Sequence, residues 1–146
     1  MTPRLNIQNI EPEAFKAMYA LEKYLATTQL TTTHKELIKI RTSQINGCAY
    51  CLDMHTKDAL KYDETPQRIF VLPAWRETNL FTPEERAILA LAEEVALISN
   101  GGVSDATYAT AMEVLGETYV AQAIMATVTI NAWNRIAIST QMQPAQ

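Results

Sequence analysis

The sequence YVAQAIMATVTI at residues 119–130 constrains the fold more than any other part of the chain. Arranged as a helix, this segment is apolar on nearly every side, whereas a helix at a protein surface is apolar along one stripe only. Such a helix must be surrounded, either at the centre of a domain or in an interface between subunits. The other elements should therefore pack around it.

The rest of the chain carries helix signals, and no alternating strand pattern bounded by hairpin turns is present. The clearest signal is Thr82-Pro83-Glu84-Glu85, which combines a threonine cap, proline at the first helical position and glutamate in capping-box spacing. Residues 1–10 are predicted to be extended, and helices are predicted over about residues 12–27, 34–46, 48–62, 66–75, 83–99, 105–115 and 118–142. We expect one all-α domain over residues 1–146, a compact bundle of six to seven helices.

Charge and hydropathy exclude several classes of partner. The net charge is −4 and the 12 Lys and Arg residues are scattered, which argues against a nucleic-acid-binding surface. No apolar run reaches the roughly 18 residues that a membrane span needs. The N-terminal sequence lacks a signal-peptide core, so we expect a cytoplasmic protein.

The two cysteines and one of the two histidines share a helix face. Cys48, Cys51 and His55 stand at positions i, i+3 and i+7, which places them on a single stripe. In helical geometry the two cysteine Cα atoms would lie about 5 Å apart, inside the range for a disulfide. Helical side chains lean toward the N-terminus, so the His55 ring should lie over Cys51 and could exchange a thiol proton.

Asn46-Gly47 predicts a helix break just before this stripe, because glycine commonly ends a helix in the left-handed conformation. The break would place the cysteine pair at a helix N-terminus, where unpaired N–H groups and the helix dipole stabilise a thiolate. Glu36 can approach the pair only if the chain breaks between them, since it would otherwise lie on a different face.

These four residues resemble a family signature. Glu36, Cys48, Cys51 and His55 are spaced as in the alkyl hydroperoxidase D-like (AhpD-like) branch of the carboxymuconolactone decarboxylase family. The resemblance extends over about residues 30–138. It includes the segments SQINGCAYC at 43–51, HTKDA at 55–59, AWRET at 74–78 and INAWNR at 130–135. The resemblance implies an all-helical domain, thiol peroxidase or disulfide reductase chemistry, and a homo-oligomer of threefold symmetry, either a trimer or a hexamer. The decarboxylase branch lacks the cysteine pair, so that activity is not expected here.

We therefore expect an antioxidant thiol peroxidase that reduces alkyl hydroperoxides. The resemblance implies that Cys51 is the peroxidatic thiolate and Cys48 the resolving thiol, whereas the helix dipole alone would favour Cys48 as the nucleophile. His55 and Glu36 would relay protons. No flavin, haem or nucleotide motif is present, so no cofactor is expected and electrons must come from another protein or a small dithiol. The alternative is a dithiol adaptor that passes electrons to a partner peroxidase and has little activity of its own.

Structural interpretations compete with these roles. The cysteines could be small buried apolar residues, or they could join His55 and Glu36 as four zinc ligands, although the spacing is unlike a zinc ribbon or finger. Glu36 completes a capping box if Thr33 is the N-cap. His34 is interpreted as a solvated residue of the first turn, and Tyr50 as a residue that packs or shields the site. A satisfied internal network or a subunit contact is expected for Trp75, Arg76, Asn131, Trp133, Asn134 and Arg135.

Overall fold

The computed structural model describes residues 2–146, which contain helices and no strand. The helices of this part of the chain are α1 (Ile7–Ile10), α2 (Pro12–Ala26), α3 (Thr32–Asn46), α4 (Ala49–Leu60), α5 (Pro66–Val71), a 3-10 helix (Leu72–Glu77), α6 (Pro83–Ala96), α7 (Asp105–Leu115) and α8 (Glu117–Thr140). The predicted all-α fold is confirmed. Within the described residues, no helix has both the length and the hydropathy to cross a membrane.

α8 is the central helix of the bundle, as its apolar sequence predicts. Helices α3 and α6 pack along it, and α2, α4 and α7 also contact it. Val120, Ala126 and Ile130 are buried, whereas Val128 is 43% exposed. One side of this apolar helix therefore faces away from the core.

α3 lies between two clusters of buried apolar side chains. Ile38 belongs to the cluster around α8, whereas Leu37 and Ile40 pack against the 3-10 helix and α6. All three side chains are fully buried, and each full burial is worth about 1.5–3 kcal/mol. Because α3 is held from both sides, the side chains it carries have fixed positions.

Local capping signals start several helices where the sequence predicts. Thr82 Oγ1 accepts a hydrogen bond from the Glu85 N–H at 3.1 Å, and the Glu85 carboxylate accepts one from the Thr82 N–H at 2.8 Å. This is the predicted capping box of α6. Pro12 and Pro66 likewise lie in the first turns of α2 and α5.

The first ten residues and the start of α3 differ from the prediction. Residue 1 lies outside the described residues, and residues 2–10 are not entirely extended, because the Asn6 side chain accepts the Asn9 N–H and caps the single turn of α1. α3 is capped by Thr31, whose Oγ1 accepts the His34 N–H at 3.1 Å. Thr31 lies within the predicted capping stretch of Thr31 to Thr33. Thr33 is not the N-cap, so the structural interpretation of Glu36 as a capping-box residue is wrong.

Candidate active site

The α3–α4 junction places both cysteines at a helix N-terminus. Gly47 ends α3 in the left-handed conformation, with φ 70° and ψ 40°, which glycine adopts without the strain that a Cβ atom would cause. Cys48 is the N-cap of α4. Cys48 and Cys51 form a disulfide, with Cα atoms 5.3 Å apart. The predicted helix break and cysteine proximity are thus confirmed.

Cys48 also caps its helix with its sulfur. The Cys51 N–H donates a hydrogen bond to Cys48 Sγ across 3.3 Å. Both cysteines are nearly inaccessible, at 1% exposure for Cys48 and 3% for Cys51. A reagent must therefore reach these sulfur atoms through a cavity rather than across the open surface.

Glu36 and His55 meet beside the dithiol. His55 Nδ1 lies 3.3 Å from Glu36 Oε2, and both side chains are largely buried. The two atoms are close but not aligned for a hydrogen bond. Three buried side-chain atoms lack a hydrogen-bond partner among residues 2–146: Glu36 Oε2, His55 Nδ1 and Thr42 Oγ1. Because unsatisfied buried polar atoms cost free energy, two of them at one place mark Glu36 and His55 as candidate functional residues.

A cavity of about 360 Å³ adjoins Cys51 and His55. Cys51 and His55 both line it, whereas Cys48 does not. Tyr50, between the cysteines in sequence, also lines this cavity, in keeping with a role in packing around the site. The sulfur that an incoming small molecule would meet first is therefore that of Cys51.

Three aromatic rings form one wall of this cavity. The ring of Trp133 lies 5.4 Å from Phe15 and 5.8 Å from Tyr19, centroid to centroid. These rings come from α2 and α8, which pack against each other. Trp133 Nε1–H donates to Glu22 Oε1 at 3.1 Å, and Glu22 Oε2 lies 3.6 Å from Lys39 Nζ. Glu22 and Lys39 line the cavity as well.

A second buried carboxylate, Glu93 on α6, has a different environment. Its oxygens accept hydrogen bonds from Arg41 Nε at 2.9 Å, Trp75 Nε1 at 2.8 Å and Arg76 Nη1 at 2.6 Å. Burial raises the pKa of Glu93, but the hydrogen bonds from Arg76, Trp75 and Arg41 outweigh it and hold the pKa below its usual value. The internal network expected for Trp75 and Arg76 is present here.

The asparagines of α8 form a further network at the end of α3. Asn46 Nδ2 donates to Asn131 Oδ1 at 2.8 Å and to Asn134 Oδ1 at 2.9 Å. Asn134, fully buried, donates in turn to Ser43 Oγ, and Arg135 donates to Asn131 Oδ1. This network ties the helix end just before Gly47 to the central helix.

Two expectations need correction or extension. His34 is not simply solvated, because its Nδ1 lies 2.6 Å from Tyr119 Oη and burial lowers its pKa. Trp133 contributes to the cavity wall, a role that the sequence analysis did not assign to it. The α2 residues that Trp133 contacts, Phe15, Tyr19 and Glu22, lie more than a hundred positions earlier in the chain. No local sequence pattern could therefore have indicated these contacts.

No group of three or more His, Cys, Asp and Glu side chains among residues 2–146 is arranged to hold a metal ion.

Comparison with known proteins places the chain among related sequences and folds. Residues 12–94 match the sequence model of the Carboxymuconolactone decarboxylase family. The chain is 44% identical over 139 residues to the uncharacterized protein YdfG of Bacillus subtilis (strain 168), with 95% of each chain covered. The YdfG match and the family match together extend over nearly the whole chain, including all four candidate residues.

Two solved structures show the same fold. A protein of unknown function from Agrobacterium tumefaciens, described as a candidate AhpD antioxidant defence protein, superposes with a TM-score of 0.95 at 36% identity, and 99% of each chain is covered. A peroxidase-related protein from Ralstonia eutropha JMP134, described as an alkylhydroperoxidase AhpD core, gives a TM-score of 0.81 at 26% identity, covering 95% of this chain and 74% of the other.

Proposed function

This chain belongs to the carboxymuconolactone decarboxylase family, as an AhpD-like member, and we propose that it reduces organic hydroperoxides with its Cys48–Cys51 pair. The observation that carries the proposal is the position of Cys51, whose side chain lines a cavity together with His55, backed by Glu36. A peroxide in this cavity would meet a sulfur atom and a proton-transfer pair together. Such chemistry fits an antioxidant role in the reducing cytoplasm.

The reaction begins with the reduced dithiol. The Cys51 thiolate attacks one peroxide oxygen, so an S–O bond forms and the O–O bond breaks. The departing alkoxide takes a proton and leaves as an alcohol, while Cys51 becomes a sulfenic acid. His55 supplies this proton, and Glu36 orients the imidazole and balances its charge. Sulfur loses two electrons and the peroxide gains them.

The second step forms the disulfide. The Cys48 thiol attacks the Cys51 sulfenic acid, the S–O bond breaks and water leaves. The two cysteines need little movement for this step, because their Cα atoms are 5.3 Å apart. A dithiol that can reach Cys51 through the cavity, either a small molecule or a group presented by a protein, must then reduce the disulfide and return two electrons and two protons.

The accessibility of the cysteines supports small-molecule chemistry over a pure electron-transfer adaptor. An adaptor must present its sulfur to a partner protein's cysteine, whereas Cys51 is only 3% exposed and is reached from a cavity. The cavity volume of about 360 Å³ suits a small organic molecule.

Mass spectrometry of the reduced protein tests the proposal. After one equivalent of cumene hydroperoxide, the peptide that contains Cys48 and Cys51 should lose two hydrogens, and cumyl alcohol should appear in equal amount. Cys51→Ser should yield neither product. Oxidation by a protein disulfide but not by any hydroperoxide would instead support the adaptor.

We further propose that the protein assembles as a homo-oligomer with threefold symmetry, a trimer or a hexamer. Large exposed apolar side chains support this, among them Phe70 at 79%, Ile98 at 56% and Tyr62 at 55%. The open side of α8 at Val128 adds to this surface. Light scattering at micromolar concentration should give a multiple of the 16.3 kDa chain mass. A stable monomer would refute this assembly without affecting the peroxidase proposal.

A further inference from the structure

The cavity beside Cys51 is far larger than hydrogen peroxide requires. Its volume of about 360 Å³ falls within the range of sites that enclose organic ligands of roughly drug size. Cys51 and His55 lie on its less exposed side. The exposed lining residues Gln8, Tyr19 and Met54 mark the side that faces solvent. A ligand with its peroxide at Cys51 would therefore have the remainder of its structure enclosed.

The aromatic wall of Phe15, Tyr19 and Trp133 favours a hydrocarbon group. Phe15 and Tyr19 each meet Trp133 at ring distances below 6 Å, and Phe15 also contacts Tyr19 edge-on, at 6.1 Å. Aromatic clusters of this kind bind further aromatic or branched apolar groups with specific geometry. Hydrogen peroxide has no group that could use this wall.

The charged residues of the lining disfavour an anion. Glu22 and Asp58 contribute two carboxylates, and Lys39 contributes one ammonium group. The ammonium is already 3.6 Å from Glu22. Asp58 lies 3.5 Å from Lys61 at the surface. A carboxylate on a ligand would therefore compete with Glu22 for Lys39 and be repelled by Glu22 in a partly desolvated space.

Glu22 is held in this position by a second contact. Its Oε1 accepts the Trp133 indole N–H at 3.1 Å, while Oε2 faces Lys39. One carboxylate thus joins the aromatic wall to the lining cation. The Glu22 carboxylate cannot rotate toward solvent without breaking its hydrogen bond with the Trp133 indole N–H.

We infer that this cavity selects uncharged hydroperoxides bearing an aromatic or branched hydrocarbon group, and that Glu22 is the specificity residue that rejects anionic ones. The inference rests on the proposed peroxidase function and names the substrate class for the same site. It assigns the aromatic wall to apolar recognition and the Glu22–Lys39 pair to charge discrimination.

Stopped-flow oxidation of the reduced protein by a matched pair of peroxides tests the inference. Cumene hydroperoxide and its para-carboxylate differ by one carboxylate group remote from the O–O bond, and hydrogen peroxide serves as the small reference. We expect the neutral aryl peroxide to react at least tenfold faster than its carboxylate, given one like-charge repulsion at short range. It should also react faster than hydrogen peroxide, which has no group to contact the aromatic wall. Equal rate constants for the matched pair would overturn the inference while leaving the proposed function intact.

Glu22→Gln separates the charge from the shape of the cavity. Glutamine can still accept the Trp133 N–H, yet it removes the negative charge and frees Lys39. The rate ratio of anionic to neutral peroxide should rise roughly tenfold. Glu13→Gln, on the same helix but fully outside the cavity, should leave the ratio unchanged. A ratio unmoved by Glu22→Gln would refute the role of Glu22.

Tyr19→Ala tests the aromatic wall at a position that is 52% exposed and so tolerates substitution. It should lower the preference for cumene hydroperoxide over hydrogen peroxide by roughly threefold to tenfold, the size of one lost aromatic contact. Tyr24→Ala, at a similarly exposed position of α2 away from the cavity, is the matched control. An unchanged preference in Tyr19→Ala would exclude the wall from substrate selection.

Ligand binding provides a readout that needs no turnover. The Trp133 indole N–H signal in a proton–nitrogen NMR spectrum should shift when the oxidised protein is titrated with cumyl alcohol, and shift much less with the para-carboxylate of that alcohol. If no peroxide oxidises the dithiol but this binding preference is present, the cavity specificity stands and the proposed function fails. Equal binding of both alcohols, or none of either, overturns the inference directly.

Discussion

Glu36 and Glu93 are two carboxylates with the same exposure and opposite surroundings. Each residue is 9% exposed. Three donors from Arg41, Trp75 and Arg76 satisfy Glu93, whereas Glu36 Oε2 lies 3.3 Å from His55 Nδ1 without an aligned hydrogen bond. A fully satisfied buried network stabilises a fold, but an unsatisfied pair costs stability and is retained for another reason. The difference favours a structural role for the Glu93 region and supports the chemistry proposed for the α3–α4 junction.

Loss of the reacting sulfur should give the largest effect. Cys51→Ser should abolish oxidation by hydroperoxide in stopped-flow assays, because no other thiolate lines the cavity in the described structure. Cys48→Ser should accumulate a sulfenic acid on Cys51, visible as a gain of one oxygen by mass spectrometry. The reverse pattern would exchange the roles of the two cysteines, and full turnover by both variants would refute the mechanism.

Glu93→Gln should act on stability alone. Removing its charge leaves the half-buried Arg41 guanidinium without an ionic partner, which we expect to lower the free energy of unfolding by about 3 kcal/mol. Urea denaturation measures this, and Glu113→Gln, an exposed glutamate on α7, is the control and should change little. The oxidation rate of folded Glu93→Gln should equal that of the wild type. A large loss of oxidation rate in folded Glu93→Gln would show that Glu93 does not act on stability alone.

Glu36→Gln and His55→Ala should show the opposite pattern. Each should slow thiol oxidation on the order of 10²-fold, the low end for loss of general acid–base help. The free energy of unfolding of Glu36→Gln should change by less than about 1 kcal/mol, because no aligned hydrogen bond is lost. In the double variant the rate losses should be far from additive, since the two residues act as one unit. Additive losses would indicate separate roles.

The smallest effect concerns pH. The pKa of Glu93 is lowered in the folded protein, so the folded state binds fewer protons there than the unfolded state. The stability that Glu93 contributes is therefore present above the usual carboxyl pKa of 4.5 and is lost as pH falls through the lowered folded value. The difference in urea midpoint between wild type and Glu93→Gln should narrow on acidification. If the difference in urea midpoint stayed constant as the pH was lowered, the charge of Glu93 would not be the cause of its stabilising effect.

Local sequence signals predicted the helices and the break that creates the site. Gly47 and the Thr82 capping box act through neighbouring backbone groups, so their effects are visible within a few residues. The choice of Thr31 rather than Thr33 as the cap of α3 was not predictable in this way. Both threonines offer the same hydroxyl, and Thr31 is distinguished by its N–H contact with Tyr119, 88 residues later.

The cavity was the part that sequence reasoning missed. The candidate residues Cys48, Cys51 and His55 lie within one helical stretch, so periodicity placed them together. Trp133 and Glu22 are 111 positions apart, and their contact depends on how α2 and α8 pair. Helix pairing is set by packing of whole faces, which a single sequence does not reveal. The grouping of the candidate residues was therefore predictable, but the cavity beside them was not.

The Cys48 sulfur has two roles. It accepts the Cys51 N–H at the first turn of α4, and it forms the disulfide with Cys51. Oxidation and reduction of Cys48 would change the sulfur that accepts the Cys51 N–H. The redox state of the cysteine pair should therefore be measurable as a change in the local mobility of the N-terminus of α4. Amide hydrogen exchange at Cys51 would then report oxidation without any chemical label. The same capping role makes serine the proper replacement for Cys48. Serine keeps a good cap while removing the thiol, whereas alanine would also loosen the helix by about 1 kcal/mol.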